Sequence, residues 1–270
     1  MSSDHGLRVG AVSYLNTRPL VHGLARRAPQ VDLTFDLPSR LADRLATSQL
    51  DVALIPSIEY FQDPAYTIIS DACIACRGPV LSVKLLSRVA PEQIQTLALD
   101  EGSRTSASLL RILLRERFGL QPRLERLPIG AGVHETTADA ILLIGDRAMH
   151  APPGRFVAEW DLGEEWTRWS GLPFVFAMWV ARPGVNTAGL EAVLSAARDD
   201  GVRELEAIAR DSAPEVGLSE NACLRYLRDN LHFYLGEDEG RGLQLFRRHA
   251  VALGLAPPER IEPSVQLVPT

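Results

Sequence analysis

Apolar residues come in short blocks over the first two thirds of this 270-residue chain and at helical spacing over the last third. Leu7 to Val12 is a compact β-rich run, followed by a stretch from Arg18 to Arg27 that predicts a helix. Val31 to Leu37 alternates apolar and polar residues, as a strand with one buried face does. Pro38 and Ser39 then open a helix that carries Leu41, Ala42 and Leu45 on one face, with Ser39 as the expected N-cap. Asp51 to Ile55 is apolar and too short for a helix. The rhythm is βαβαβ, which implies a parallel sheet covered by helices with right-handed crossovers.

A second unit follows. Thr67 to Ile69 and Val80 to Leu86 read as strands, the latter after the Gly78-Pro79 turn. Thr96 to Leu99 is a strand, Asp100 to Ser103 a loop, and Arg104 to Phe118 an apolar helix stopped by Gly119, as a C′ glycine does. Ala140 to Ile144 and Pro173 to Val180 are further buried strands. Beyond Thr187 the pattern turns helical: Leu190, Val193, Leu194, Ala197, Leu205 and Ile208 share one face. Ser219 is placed to cap a helix through Arg228, and a last helix runs from Gly236 to Leu253. The expected architecture is α/β with two lobes, each a mixed sheet flanked by helices. Residues 1–87 and 182–270 form the first lobe and 88–181 an inserted second one, so the chain crosses twice and makes a double hinge. Strand ends of both lobes then face a shared cleft, where ligands bind in open α/β sheets.

Composition narrows the classes. A net charge of −6 argues against nucleic-acid binding, which needs a basic face. Lys84 is the sole lysine, so a Schiff-base or P-loop mechanism must use it. GxxxxGK[ST], GxGxxG and GxSxG patterns are all missing. Cys73 and Cys76 have CxxC spacing, but no second pair completes a zinc site, and their flanks read as extended chain with two half-buried thiols. His5, His22, His134, His150, His232 and His249 form no HxxH pair, so no metal and no cofactor is expected. The start lacks a basic region with an apolar run, and no stretch approaches a membrane span, so a cytoplasmic protein without membrane contact is expected.

Candidate chemistry falls on loops after strands. Ser13 to Pro19 follows the first strand; Asn16 or Thr17 either caps the next helix or turns into the cleft. Ile55 and Ser57 end the third strand at the cleft edge. Ser82 lies within a strand near the crossover, and alternation sets Lys84 on the same face. Gly145-Asp146 ends a second-lobe strand, with Asp146 a cap or a polar wall. Ser103, Arg104, Thr105 and Ser106 are the sharpest feature. Capping needs one hydroxyl, so the surplus at a helix start points to an anion site, with Arg104 adding a bidentate carboxylate contact. Trp160, Trp166, Trp169 and Trp179 cluster and read as second-lobe core. Two classes remain: a small-anion binding protein, or an enzyme on the same fold.

The run Arg8-Val9-Gly10-Ala11-Val12-Ser13-Tyr14-Leu15-Asn16-Thr17-Arg18-Pro19-Leu20 resembles the opening of the chorismate dehydratases, of the futalosine route to menaquinone. The likeness continues in Asp51 to Tyr60, Gly78 to Val83, Ser103 to Ser106, Trp166 to Ala177 and Tyr226 to Phe246. It implies a type 2 periplasmic-binding-protein fold used as a cytoplasmic, cofactor-free lyase. That lyase removes water from the dianion chorismate to give 3-(1-carboxyvinyloxy)benzoate. The resemblance further implies that the substrate's own enolpyruvyl carboxylate takes the proton. Asn16 and Ser82 are then the catalytic contacts, and Ser13, Thr17, Ile55, Ser57, Ser103 to Ser106 and Asp146 the binding ones. A sibling of the same fold, 1,4-dihydroxy-6-naphthoate synthase, is expected to open on a Ser-Pro-Cys-Pro-Asn-Asp-like segment and to use a histidine base. Neither is evident here.

Overall fold

The computed structural model describes residues 6–150 and 154–258; His5 and the tail beyond Pro258 lie outside them. Eleven strands and nine α-helices are found among the described residues. The chain begins with β1 (Arg8–Val12), a 3₁₀ stretch (Leu15–Val21), α1 (Leu24–Arg27), β2 (Asp32–Asp36), α2 (Pro38–Ala46), β3 (Val52–Pro56), α3 (Ser57–Tyr60) and β4 (Thr67–Cys76). It continues through β5 (Val83–Ser87), β6 (Thr96–Asp100), α4 (Arg104–Phe118), β7 (Arg123–Leu127), β8 (Ala140–Ile144), β9 (Ala158–Asp161) and α5 (Leu162–Ser170). It closes with β10 (Phe174–Ala181), α6 (Leu190–Arg203), α7 (Leu205–Val216), α8 (Glu220–Arg225), a π turn (Tyr226–Asn230), β11 (His232–Tyr234) and α9 (Glu237–Ala252).

Two mixed sheets result. The first runs β11-β4-β10-β3-β1-β2 and the second β7-β6-β8-β5-β9. The expected βαβαβ unit is present: β1 is parallel to both β2 and β3. The crossings differ from those expected. β5 pairs with β8 and β9, so residues 83–87 belong to the second sheet. β10 is antiparallel to β3 and β4 in the first sheet, so residues 174–181 belong there. The chain therefore passes between sheets at 77–82 and 171–173, not near residues 88 and 181. Hydropathy reports that a strand is buried, but long-range pairing decides against what.

Local chemistry explains other departures. The helix expected over Arg18 to Arg27 is split, because Pro19 sits inside the 3₁₀ stretch and Gly23 turns left-handed at φ 68° before α1. Ser39 does not cap α2: Pro38 occupies the first turn, Leu37 is the N-cap, and Ser39 is buried within the helix. The apolar face from Leu190 to Ile208 spans two helices, α6 and α7, rather than one. Ser219 does cap α8, accepting the Ala222 N–H at 3.2 Å. Cys73 and Cys76 lie in β4, extended as expected but fully buried rather than half-buried.

One core joins the sheets. Trp166 on α5 packs edge-on against Phe174 of β10 and Phe246 of α9, at 5.1 and 6.2 Å. Its indole N–H donates to Pro173 O at 3.0 Å. Trp166 is therefore part of the joint between sheets, and Trp179 is buried in the first sheet; neither is confined to a second-lobe core. Gly201 lets α6 approach the first loop: a Cβ there would lie 2.0 Å from Pro19 O.

At the opposite side of the first sheet, Asp51 ties β1 to the end of β10. It accepts from Arg8 Nε and Nη2 at 3.0 and 2.7 Å and from Arg182 Nη2 at 2.7 Å. The Arg8 guanidinium, helped against burial by the Arg8 N–H and Arg182, holds the Asp51 carboxyl well below the usual carboxylate range. Its folded pKa lies below the unfolded one, so the contribution is complete above about pH 4 and is lost as pH falls further. Asp51→Asn should flatten the acid limb of stability while lowering stability at pH 7, as urea titrations across pH 2–7 would record.

Candidate functional site

A cavity between the sheets is built from loops at strand ends. Its walls are Val12, Ile74, Val80, Val83, Ile144 and Phe176, all apolar. Its polar lining comes from Tyr14, Asn16, Ser82 and the Ser103–Ser106 segment. Among the described residues no aspartate, glutamate, histidine or lysine lines it, and Arg104 is the one ionised side chain.

Arg104 is not free for a guest. Its Nη2 bonds both Asp43 oxygens, at 2.7 and 2.9 Å, and its Nη1 lies 3.2 Å from Glu59. The bidentate carboxylate contact expected of Arg104 is thus made with α2 and α3 of the first sheet. The guanidinium is a strap between the two halves rather than a ligand. What remains at the start of α4 is neutral. Ser103 occupies the N-cap position but forms no side-chain cap bond. Within the described residues, the Ser103 and Ser106 hydroxyls carry no protein hydrogen bond, and both residues line the cavity. Thr105 accepts the Ile58 N–H at 3.2 Å. The first N–H groups of any helix lack intrahelical partners, and the helix dipole makes that end positive. Hydroxyls and amides here can bind an anion without a counter-charge.

The remaining sequence candidates separate. Asn16 lines the cavity, and its Oδ1 accepts the Thr17 hydroxyl at 3.3 Å. Thr17 itself is buried and outside the lining. Ser82 lines the cavity but precedes β5 rather than lying within a strand, so strand alternation does not relate it to Lys84. Lys84 pairs with Glu159 at 2.8 Å on the second sheet. Ile55 and Ser57 are fully buried outside the lining; Ser57 donates to Val175 O at 2.6 Å, which consumes its hydroxyl. Pro56 lines the cavity instead. Ser13 is exposed and outside the lining. Asp146 is outside the lining, and its oxygens accept the Leu15 N–H of the first loop at 3.2 and 3.3 Å. Burial pushes that carboxyl up, opposed by the Leu15 N–H.

Two tyrosines were not among the candidates. Tyr14 reaches from the first loop to the second sheet. A Cβ on Gly145 (φ 72°) would lie 2.8 Å from the Tyr14 ring, and one on Gly102 3.5 Å from its hydroxyl. Burial, with Asp100 nearby, raises the Tyr14 phenol. Tyr226, at the start of the π turn, is buried and donates to Ser82 Oγ at 2.9 Å. Tyr14 stands inside the motif that singled out Asn16, so the signal was present. For Tyr226 the sequence offers only an aromatic in a helix.

Known proteins resemble this chain in sequence and in fold. The chain is 32% identical over 265 residues to the chorismate dehydratase of Thermus thermophilus, covering 92% of this chain and 95% of that one. A protein of Archaeoglobus fulgidus has the same fold with a TM-score of 0.74 at 17% identity, covering 94% of this chain and all of its own. The aliphatic sulphonate binding protein of Escherichia coli superposes with a TM-score of 0.63 at 15% identity, over 96% and 94% of the two chains. These place the architecture among the periplasmic-binding-protein-like folds, as the sequence led us to expect. Among the described residues no helix is long and apolar enough to cross a membrane. The sequence profile of the menaquinone biosynthesis family matches residues 7–252, nearly the entire described chain, and to that family this chain belongs.

Proposed function

We propose that the chain is a chorismate dehydratase, working in the cytoplasm without a cofactor. The observation that carries the reading is the cavity's chemistry: apolar walls, neutral donors at two places and, among the described residues, no acid, histidine or lysine in the lining. Such a site suits a dianion that brings its own base. A ring carboxylate fits the uncapped start of α4, where Ser103, Thr105 and Ser106 stand. With Ser57 committed to Val175 O, the second carboxylate falls to Asn16 and Ser82.

In this reading the enolpyruvyl carboxylate removes the C3 proton, and the C3–H electron pair forms the new ring double bond as the C4 hydroxyl leaves. The C3 proton is acidified through the ring diene by the C1 carboxylate, and aromatisation of the product supplies driving force. Asn16 orients the attacking carboxylate or the departing hydroxyl. Apolar walls strengthen each of these hydrogen bonds by excluding water. The two sheets act as closing lobes about the crossings at 77–82 and 171–173. Closure is completed by the Arg104 strap, by Asp146 on the Leu15 N–H, and by Tyr14 against Gly145.

Purified protein with chorismate alone should form the aromatic product and release water stoichiometrically, as followed by ultraviolet absorbance and mass spectrometry. Unchanged chorismate would overturn the reading. Product from cyclic dehypoxanthine futalosine would instead identify the sibling activity, and tight binding without product a receptor. Asn16→Ala should lower kcat by about 10²-fold or more while the protein stays folded. Gly145→Ala forces a side chain onto Tyr14 at a positive φ. It should hold the cleft ajar, raising KM for chorismate roughly tenfold and increasing the radius of gyration with ligand bound, by small-angle scattering.

A further inference from the structure

We infer that Tyr226 is a positioning residue that turns Ser82 into a hydrogen-bond donor toward the cavity. The inference rests on the dehydratase reading and concerns how one of its central polar groups is held. Tyr226 is buried in the C-terminal helical layer and does not line the cavity. Its hydroxyl has one proton, and the geometry commits that proton to Ser82 Oγ at 2.9 Å.

The direction of the chain follows. Tyr226 O–H donates to Ser82 Oγ. A serine hydroxyl that accepts from behind has its own proton free to point forward, into the cavity that Ser82 lines. Each donated bond polarises the next, so Ser82 becomes a better donor than an isolated hydroxyl. Burial pushes the Tyr226 phenol well above its ordinary range, which keeps the proton on it across the working pH.

The backbone is built to the same end. Leu81, just before Ser82, adopts a left-handed φ of 61°, a conformation that a branched side chain rarely takes. It is held there by Asp161, whose oxygens accept the Val80 and Leu81 N–H groups at 2.9 and 2.6 Å while capping α5. Asn230, closing the π turn that Tyr226 opens, donates to Pro79 O at 2.9 Å. Two side chains of one π turn thus grip the crossing on either side of Leu81. π turns recur where a helix must aim a functional side chain.

The test is a double-mutant cycle on chorismate turnover with wild type, Tyr226→Phe, Ser82→Ala and the double variant. Tyr226→Phe keeps the ring in the core, and its melting temperature should stay within about 4 °C of the parent. We expect kcat to fall about 10- to 100-fold with KM changed less than threefold. The double variant should be no slower than Ser82→Ala alone, because the phenol acts through that serine. Losses that multiply, a KM effect without a kcat effect, or wild-type kcat in Tyr226→Phe would overturn the assignment. Wild type that leaves chorismate unchanged overturns the dehydratase reading and removes the reaction Tyr226 is held to support. Active wild type with unaffected Tyr226→Phe overturns the assignment of Tyr226 alone. Should Tyr226→Phe unfold, the cycle is run with Tyr226→Met and Ser82→Ala, whose losses must likewise fail to multiply.

Discussion

The first turn of α4 is the constraint on which the rest of the molecule turns. A helix start must have its N–H groups satisfied, and a 15-residue helix presents an appreciable dipole there. This chain declines the usual remedies. The N-cap serine makes no cap bond, and the adjacent guanidinium is drawn off by Asp43 and Glu59. The turn is thereby left as a neutral, donor-rich wall at the joint between two sheets. In the dehydratase reading a substrate carboxylate meets its demand.

Charge is placed with the same logic elsewhere. Ionised groups near the cleft serve to fasten one half to the other: Arg104 to Asp43, and Asp146 to the Leu15 N–H. Paired charges seal the surroundings, while the interior keeps hydroxyls, an amide and phenols. An overall charge of −6 therefore says little about the ligand, because the field inside the cavity is set by backbone dipoles and by donors a few ångströms away. In the dehydratase reading, such a lining leaves the proton chemistry to the substrate.

What could be read from the sequence was local. β1, β3, β6 and β8 follow from short apolar blocks, and the Ser103–Ser106 segment from three hydroxyls where a cap needs one. Asn16 and Ser82 line the cavity because they sit on loops following strand and turn signals. What could not be read was pairing between distant segments. Ser57 is spent on Val175, 118 residues away, and Arg104 on Asp43, 61 residues away. Tyr226 meets Ser82 across 144 residues. β7 was missed because an exposed edge strand of alternating charge carries no apolar block, and the lobe boundary shifted because β5 and β10 look alike in hydropathy while belonging to different sheets.

The place of β10 has a consequence for how the molecule comes into being. It lies in the middle of the first sheet, between β4 and β3, yet follows the whole second sheet in the chain. Until residue 174 has been made, β3 and β4 have no shared neighbour, and two hydrophobic strands keep open edges. The amino-terminal portion therefore cannot mature on its own as the ribosome delivers it. The second sheet, contiguous from β5 to β9, can close first and then carry β10 back into the gap. The cleft, made from strand ends of both sheets, is accordingly among the last parts of the protein to exist.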